Sequence, residues 1–238
     1  MPRFLLRRTE TAVAADAATA ANSVDRLGRR RLLVLSAGAL LLPAVATRAA
    51  FAQGAGAAGA VARIQQLDDV LLQVMKQGEQ TPFSQRYAAL EHVVDQTFDL
   101  NAILQASVGL GWSSLSPDQK TQLLAAFRRY TVSSYTANFN NYNGQRFQIE
   151  PETRALGNGE VVVSTTITDS DGSSNKLSYV MRQGAAGWQV VDVLADGTIS
   201  RVAVQRSDFH SLLASGGVPA LVQGLQSKVA ALSGGLLA

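Results

Sequence analysis

The sequence predicts an α+β fold: a twisted antiparallel sheet of four strands, or slightly more, covered on one face by several helices. Three observations carry this. Apolar residues recur at helical spacing up to about residue 141, alternate with polar ones from Phe147 to Val190, and return to helical spacing after Ser200. Helices, then a run of strands, then helices is the order expected of a sheet layered against helices.

Val61, Ile64, Leu67, Leu71 and Val74 make the stripe of a first helix that stops at Gly78. Thr81-Pro82 opens a second, with Phe83, Tyr87, Leu90 and Val94 on one face. Asp99 caps a short third helix over 100–108, ended by Gly109. Ser116-Pro117-Asp118-Gln119 reads as a capping box with proline at the first helical position. It launches a long helix to about Asn141, with Leu123, Leu124, Phe127, Tyr130, Tyr135 and Phe139 inward.

At Asn143-Gly144 the period changes to two. Phe147 and Ile149 mark the first strand, and Val161, Val163, Thr165 and Ile167 the second. Leu177, Tyr179 and Met181 mark the third, Trp188 and Val190 the fourth. Turn-rich links at 157–159, 169–175 and 184–187 make these an antiparallel meander. Ser200 caps a helix to about Ala214, Gly216-Gly217 breaks it, and Pro219 starts the last helix through Leu232.

Charge is uneven along the chain. Of 21 basic and 18 acidic side chains, eight arginines and three acids fall in residues 1–52, leaving 13 basic against 15 acidic beyond. The domain is thus mildly acidic, and a nucleic-acid partner, which needs clustered cations on the folded part, is not expected. With no cysteine, disulfide scaffolds, thiolate metal sites and cysteine nucleophiles are excluded together.

Arg29-Arg30-Arg31, the apolar run 32–42 and Ala50-Phe51-Ala52 have the order of an export signal over residues 1–52. The run is shorter than the ~20 residues that cross a bilayer. The long basic region and the Arg29-Arg30-x-Leu-Leu order favour the twin-arginine route over general secretion, with an uncleaved amphipathic anchor as the alternative. Residues 53–60, rich in Gly and Ala, read as a flexible leader, and 61–238 as a single domain. The expected location is the periplasm.

Catalytic patterns are absent from the sequence. His92 and His210 lack metal-ligand spacing, and Ser207, Asp208 and His210 are neighbours in one helix that cannot converge as a triad. Asp169-Ser170-Asp171-Gly172 lacks the glycine and glutamate of a calcium loop at the sixth and twelfth positions. Gly157-x-Gly159 lacks the strand-to-helix context of a phosphate cradle, and Glu150 and Glu152 flank Pro151 at a strand end. No enzyme, metal or cofactor is therefore expected. Trp188, Asp192 and Asp196-Gly197 read as fold determinants. Arg201 and Arg206 read as exposed salt-bridge partners, with a phosphate contact as the other option.

Leu115-Ser-Pro-Asp-Gln-Lys120, Phe127-Arg-Arg-Tyr130, Tyr142-Asn-Gly-Gln-Arg-Phe147, Trp188-Gln-Val-Val-Asp-Val193 and Asp196-Gly-Thr-Ile-Ser200 occur in this order. Together they resemble the MlaC (toluene-tolerance) family of periplasmic phospholipid-binding proteins, from Thr81 to about Leu232. Thr81-Pro-Phe-Ser-Gln-Arg-Tyr87, Tyr179-Val-Met-Arg-Gln183 and the stretch 197–209 look closest to its hopanoid-biosynthesis-associated HpnM subgroup.

The resemblance implies a carrier that holds the apolar part of a phospholipid or hopanoid between sheet and helices. It implies partners too: an inner-membrane MCE-domain and ABC-transporter assembly or an RND-type hopanoid exporter, and an outer-membrane lipoprotein complex. From periodicity, the expected pocket lining is Phe127, Tyr130, Tyr135 and Phe139 on the long helix. The strands are expected to add Phe147, Ile149, Val163, Ile167, Tyr179, Met181 and Val190. A non-catalytic adaptor of an export complex, or an enzyme subunit acting on hopanoid precursors, are the competing readings; the adaptor predicts a space filled by side chains.

Overall fold

The computed structural model describes residues 46–237, with side chains from residue 57 onward. The basic and apolar parts of the expected export signal, within residues 1–45, lie outside the described residues. The element order is α1 (Ala46–Gln77), α2 (Phe83–Thr97), α3 (Leu100–Val108), a 3-10 turn (Gly109–Ser114) and α4 (Pro117–Asn138). Strands β1 (Arg146–Ile149), β2 (Arg154–Ala155), β3 (Glu160–Thr168), β4 (Ser174–Gly184), β5 (Gly187–Ala195) and β6 (Ile199–Ser200) follow. Helix α5 (Arg201–Ser233) closes the chain.

The sheet order is β1-β3-β4-β5-β6, with β2 beside β1 on the same edge of β3, and every pairing is antiparallel. The four expected strands are β1, β3, β4 and β5, and two-residue β2 and β6 trim the edges. Val163, Tyr179 and Val193 stand in one cross-strand row, Thr165, Leu177 and Ala195 in the next. A bulge between Val180 and Met181 shifts the register before Met181 meets Val190.

Local chemistry sets the helix ends. Asp99 accepts from the Ala102 N–H at 2.9 Å, and Ser200 from that of Ala203 at 3.0 Å. Ser116 and Gln119 form the reciprocal capping box, at 3.2 and 2.9 Å. Helix α4 stops at Asn138 rather than near 141, because Phe139 leaves helical geometry and turns its ring towards Phe147, 6.2 Å away. Helix α5 is broken at Gly216 and Gly217, the latter at φ 65° and ψ −155°, where side chains other than glycine are strained.

Two expectations need correction. The Gly/Ala stretch 53–60 is helical and continues α1, and Ala60 is fully buried. Alanine favours this conformation, and bare Gly59 lets the helix rest on Trp188: a Cβ there would stand 3.1 Å from the indole. The second correction concerns layering. Helix α1, not α4, lies along β1, β3 and β5, whereas α4 packs chiefly against α2, α3 and α5. One continuous core joins all these surfaces, with Ile64, Leu67 and Leu71 of α1 fully buried in it.

Candidate functional site: an apolar cleft with a polar rim

Along α4, positions 127, 130, 131, 134, 135 and 138 fall on one helical face. Their side chains alternate in bulk: Phe127, Tyr130 and Tyr135 are rings, while Thr131 and Ser134 are short. A face built this way cannot close flush on a neighbour, and it forms one wall of a cleft. Phe98, Leu100 and Ile103, around the α2–α3 junction, make the second wall; Leu177 of β4 and Val193 of β5 form the floor. Val202 and Gln205, from the start of α5, close the front.

The junction is pinned where it must be. Phe98 bridges to Val190 in parallel fashion, and the Asp99 N–H donates to the Val190 carbonyl at 3.0 Å. This holds the Phe98 ring 5.4 Å from that of Tyr135, which stacks in turn on Phe139 at 5.8 Å. The Phe127 ring meets Phe209 of α5 edge-on at 6.1 Å.

The space within these walls is about 700 Å³, mouth included. It is a slit bounded mostly by apolar atoms. Its polar groups are Thr131, Ser134 and Asn138 of α4, together with Asp192, Arg201 and Gln205. Asp192 Oδ1 accepts from the Val193 and Val202 N–H groups at 2.8 and 3.1 Å, and Oδ2 from the Ser200 hydroxyl at 2.5 Å. It fastens β5 to the start of α5, the structural task its sequence position suggested. Arg206 instead donates from Nε and Nη2 to the Ala106 carbonyl, at 3.0 and 2.7 Å, tying α5 to α3.

Burial pushes the Tyr130 and Tyr135 pKa values up, and the nearby Arg201 charge partly opposes this in both. Tyr179 is raised well above its ordinary value by burial. These hydroxyls stay protonated at neutral pH. Among the described residues no group of three or more His, Cys, Asp or Glu is placed to hold a metal ion. No described helix is long and apolar enough to cross a membrane.

Of the expected lining residues, the structure brings Phe127, Tyr130, Tyr135 and Phe139 to the cleft. Phe147, Ile149, Val163, Ile167, Tyr179, Met181 and Val190 lie outside its lining and belong to the core or pack against it. The reason is the layering: α1 covers the sheet where those strands run, as the Thr165 hydroxyl donating to Asp68 at 3.2 Å records. Periodicity did not single out Phe98, Ile103, Val193 or Val202, because each belongs to an element whose neighbour across the cleft is distant in sequence.

Residues 65–227 match the family model described as MlaC protein. This chain belongs to the MlaC family. The match runs from α1 into the second half of α5 and so takes in every wall of the cleft. Among solved structures, this MlaC-family chain is similar to a phospholipid-binding protein from Ralstonia solanacearum, determined in complex with a phospholipid. The two are 23% identical with a TM-score of 0.63, over 72% of this chain and 97% of that one. At that identity the likeness speaks for the shared α+β fold.

Proposed function

We propose that this MlaC-family chain is a periplasmic lipid carrier that takes the apolar part of a phospholipid or hopanoid into the α3–α4–α5 cleft. The carrying observation is the cleft itself, an aromatic and aliphatic slit with polar groups at its rim, in a fold whose relative was crystallised with a phospholipid. Each CH₂ taken from water is worth about 0.8 kcal/mol, so a two-chain lipid meets a barrier of tens of kcal/mol to free passage through water. A wrapped chain avoids that barrier with no covalent step, and the protonated, buried tyrosines offer no general base for one.

In this reading the walls of the slit part to admit the lipid chain. In this reading, too, the two-glycine break in α5 is the hinge about which the part fronting the cleft moves. Delivery by the export signal of residues 1–52 accounts for the location. The partners in this reading are an inner-membrane MCE-domain and ABC-transporter assembly or an RND-type hopanoid exporter, and an outer-membrane lipoprotein complex. Hopanoid cargo rests on the HpnM-like motifs alone.

The test is to purify the chain from its native periplasm, extract it with organic solvent and weigh the extract by mass spectrometry. Stoichiometric phospholipid or hopanoid is the expected result. Repeated mild preparations without lipid would leave the adaptor as the better reading.

A further inference from the structure

The 3-10 turn between α3 and α4 holds an apolar side chain in full contact with water. Leu110 is 100% exposed, and the next most exposed large apolar side chain among the described residues, Leu236, is 69% exposed. The turn is nonetheless well tied down. Gly109, at φ 73°, takes the chain off α3, and Trp112 packs against the core. The Ser113 hydroxyl donates to the Leu110 carbonyl at 3.3 Å and that of Ser114 to the Gly111 carbonyl at 2.8 Å. The Leu115 N–H donates to the Trp112 carbonyl at 3.3 Å. Three successive carbonyls are thus satisfied within the loop, which lowers the cost of taking its backbone out of water.

The surroundings of the loop name its partner. Lys120 Nζ stands 5.6 Å above the Trp112 ring. Arg206 Nε lies at the base of the loop, 3.7 Å from where a Cβ on Gly109 would stand. Of the acids on neighbouring elements, Glu160 is bridged to Arg182 at 2.6 Å and Asp208 to Lys228 at 3.5 Å. Asp118, in the first turn of α4, offsets one of the two cations. The loop is therefore edged with positive charge on a domain that is mildly acidic. An exposed leucine, a half-buried indole and flanking cations fit the layers of a lipid surface. The leucine enters the apolar side, the indole lies at the boundary, and the cations meet anionic headgroups.

The loop also stands close to the cleft. The nine residues of α3 span about 13 Å, with Leu100 and Ile103 in the cleft wall and the loop at the other end. Ser107, just before the loop, donates to Gln205 at 3.1 Å, and Gln205 closes the front of the cleft. We propose that the Gly109–Ser114 loop docks the protein on an anionic bilayer surface, with Leu110 inserted, Trp112 at headgroup level and the cleft front held beside the membrane. The choice of a bilayer as partner rests on the carrier reading, because a lipid carrier exchanges its cargo there.

The test sediments the chain, purified from its native periplasm, with vesicles of palmitoyl-oleoyl phosphatidylcholine and of that lipid mixed equally with its phosphatidylglycerol counterpart. Binding is expected to the mixed vesicles, weakened several-fold on phosphatidylcholine alone and by Lys120→Gln. Leu110→Ser should weaken it about tenfold or more, the scale of one leucine side chain left in water, and Leu110→Phe should keep it. In Trp188→Phe, where Trp112 is the remaining tryptophan, brominated acyl chains should quench the emission. The Leu110 variants should keep the wild-type melting temperature and the wild-type bound lipid, read by mass spectrometry.

Vesicle binding undiminished in Leu110→Ser, or unquenched emission from vesicle-bound protein, overturns the docking loop. A wild type that carries lipid but binds neither vesicle does the same and leaves the carrier reading standing. Vesicle binding lost in Leu110→Ser by a chain that carries no lipid overturns the carrier reading and keeps the loop as a membrane contact. Self-association of wild type in lipid-free solution, abolished in Leu110→Ser, would assign the leucine to a contact between copies and overturn the bilayer partner.

Discussion

The hydroxyl of Thr165 on β3 donates to Oδ2 of Asp68 on α1 across 3.2 Å, while Oδ1 is buried with no hydrogen-bond partner among the described residues. Desolvation lifts the Asp68 pKa from 3.8 to about 7, the Thr165 bond opposes the rise, and Asp69 adds to it. The folded protein thus holds a proton that the unfolded chain releases above about pH 4. Stability from this group is complete below that pH and is lost as pH rises through about 7, by up to ~4 kcal/mol. Melting temperatures measured from pH 4 to 8 should fall for wild type and fall less for Asp68→Asn, whose neutral amide stands in for the protonated acid. Superimposable pH profiles of the two proteins would refute this.

Arg86 is a buried cation held by main-chain carbonyls: Nε donates to Thr81 at 3.0 Å and Nη1 to Thr136 at 2.9 Å, beneath the Phe83 ring. Desolvation lowers its pKa, partly offset by Glu79. The Thr136 carbonyl belongs to the last turn of α4, where intrahelical partners run out. Arg86→Met should lower stability by about 2–3 kcal/mol, and Arg86→Lys should recover only part, since an ammonium lacks the spread of the fork. Urea midpoints decide it; a Met variant as stable as wild type would show the bonds to be dispensable.

Ser134 supplies the short step between the rings of Tyr130 and Tyr135 and is 1% exposed. Ser134→Leu places a branched side chain in the slit. Bound lipid per protein should drop at least several-fold, with a stability change within the ~1–3 kcal/mol of modest overpacking. Undiminished lipid in a folded variant would place the ligand elsewhere.

Gly217 holds a backbone geometry that an alanine adopts only under strain. Gly217→Ala should destabilise by about 1–3 kcal/mol. At Gly224, within the second half of α5, a Cβ would meet Leu212 Cδ1 at 2.9 Å, across the break. A Leu212→Ala change made together with Gly224→Ala should therefore lose less than the sum of the two single changes. Additive denaturation energies would show that the two halves do not press on each other there.

What could be read from the sequence was mostly what neighbours in sequence decide. The Ser116 box, the Asp99 and Ser200 caps, the Gly216-Gly217 break and the hairpin turns each depend on a few adjacent residues. The layering was not legible in this way. An apolar stripe shows that a helix buries a face, not which partner it meets, so it does not tell that α1 rather than α4 lies along the sheet. The cleft followed the same pattern: its α4 wall was found by periodicity, and the walls from α3, β5 and α5 were missed. Two further signals are present in the sequence. Asp68 sits four residues after Ile64 and three before Leu71, and Arg86 three after Phe83 and four before Leu90, both within apolar stripes.

Strand β3 carries Val161-Val162-Val163 through the middle of the sheet, with β4 on one side and only four-residue β1 and two-residue β2 on the other. A β-branched run of this kind is a template for another chain once its edge is uncovered. The exposed Arg146 and Arg154 sit on the two brief strands that guard it, as charges that discourage such pairing. Weakening β1 or β2 should therefore announce itself first as insoluble, thioflavin-positive material, before any soluble protein with an altered ligand is seen.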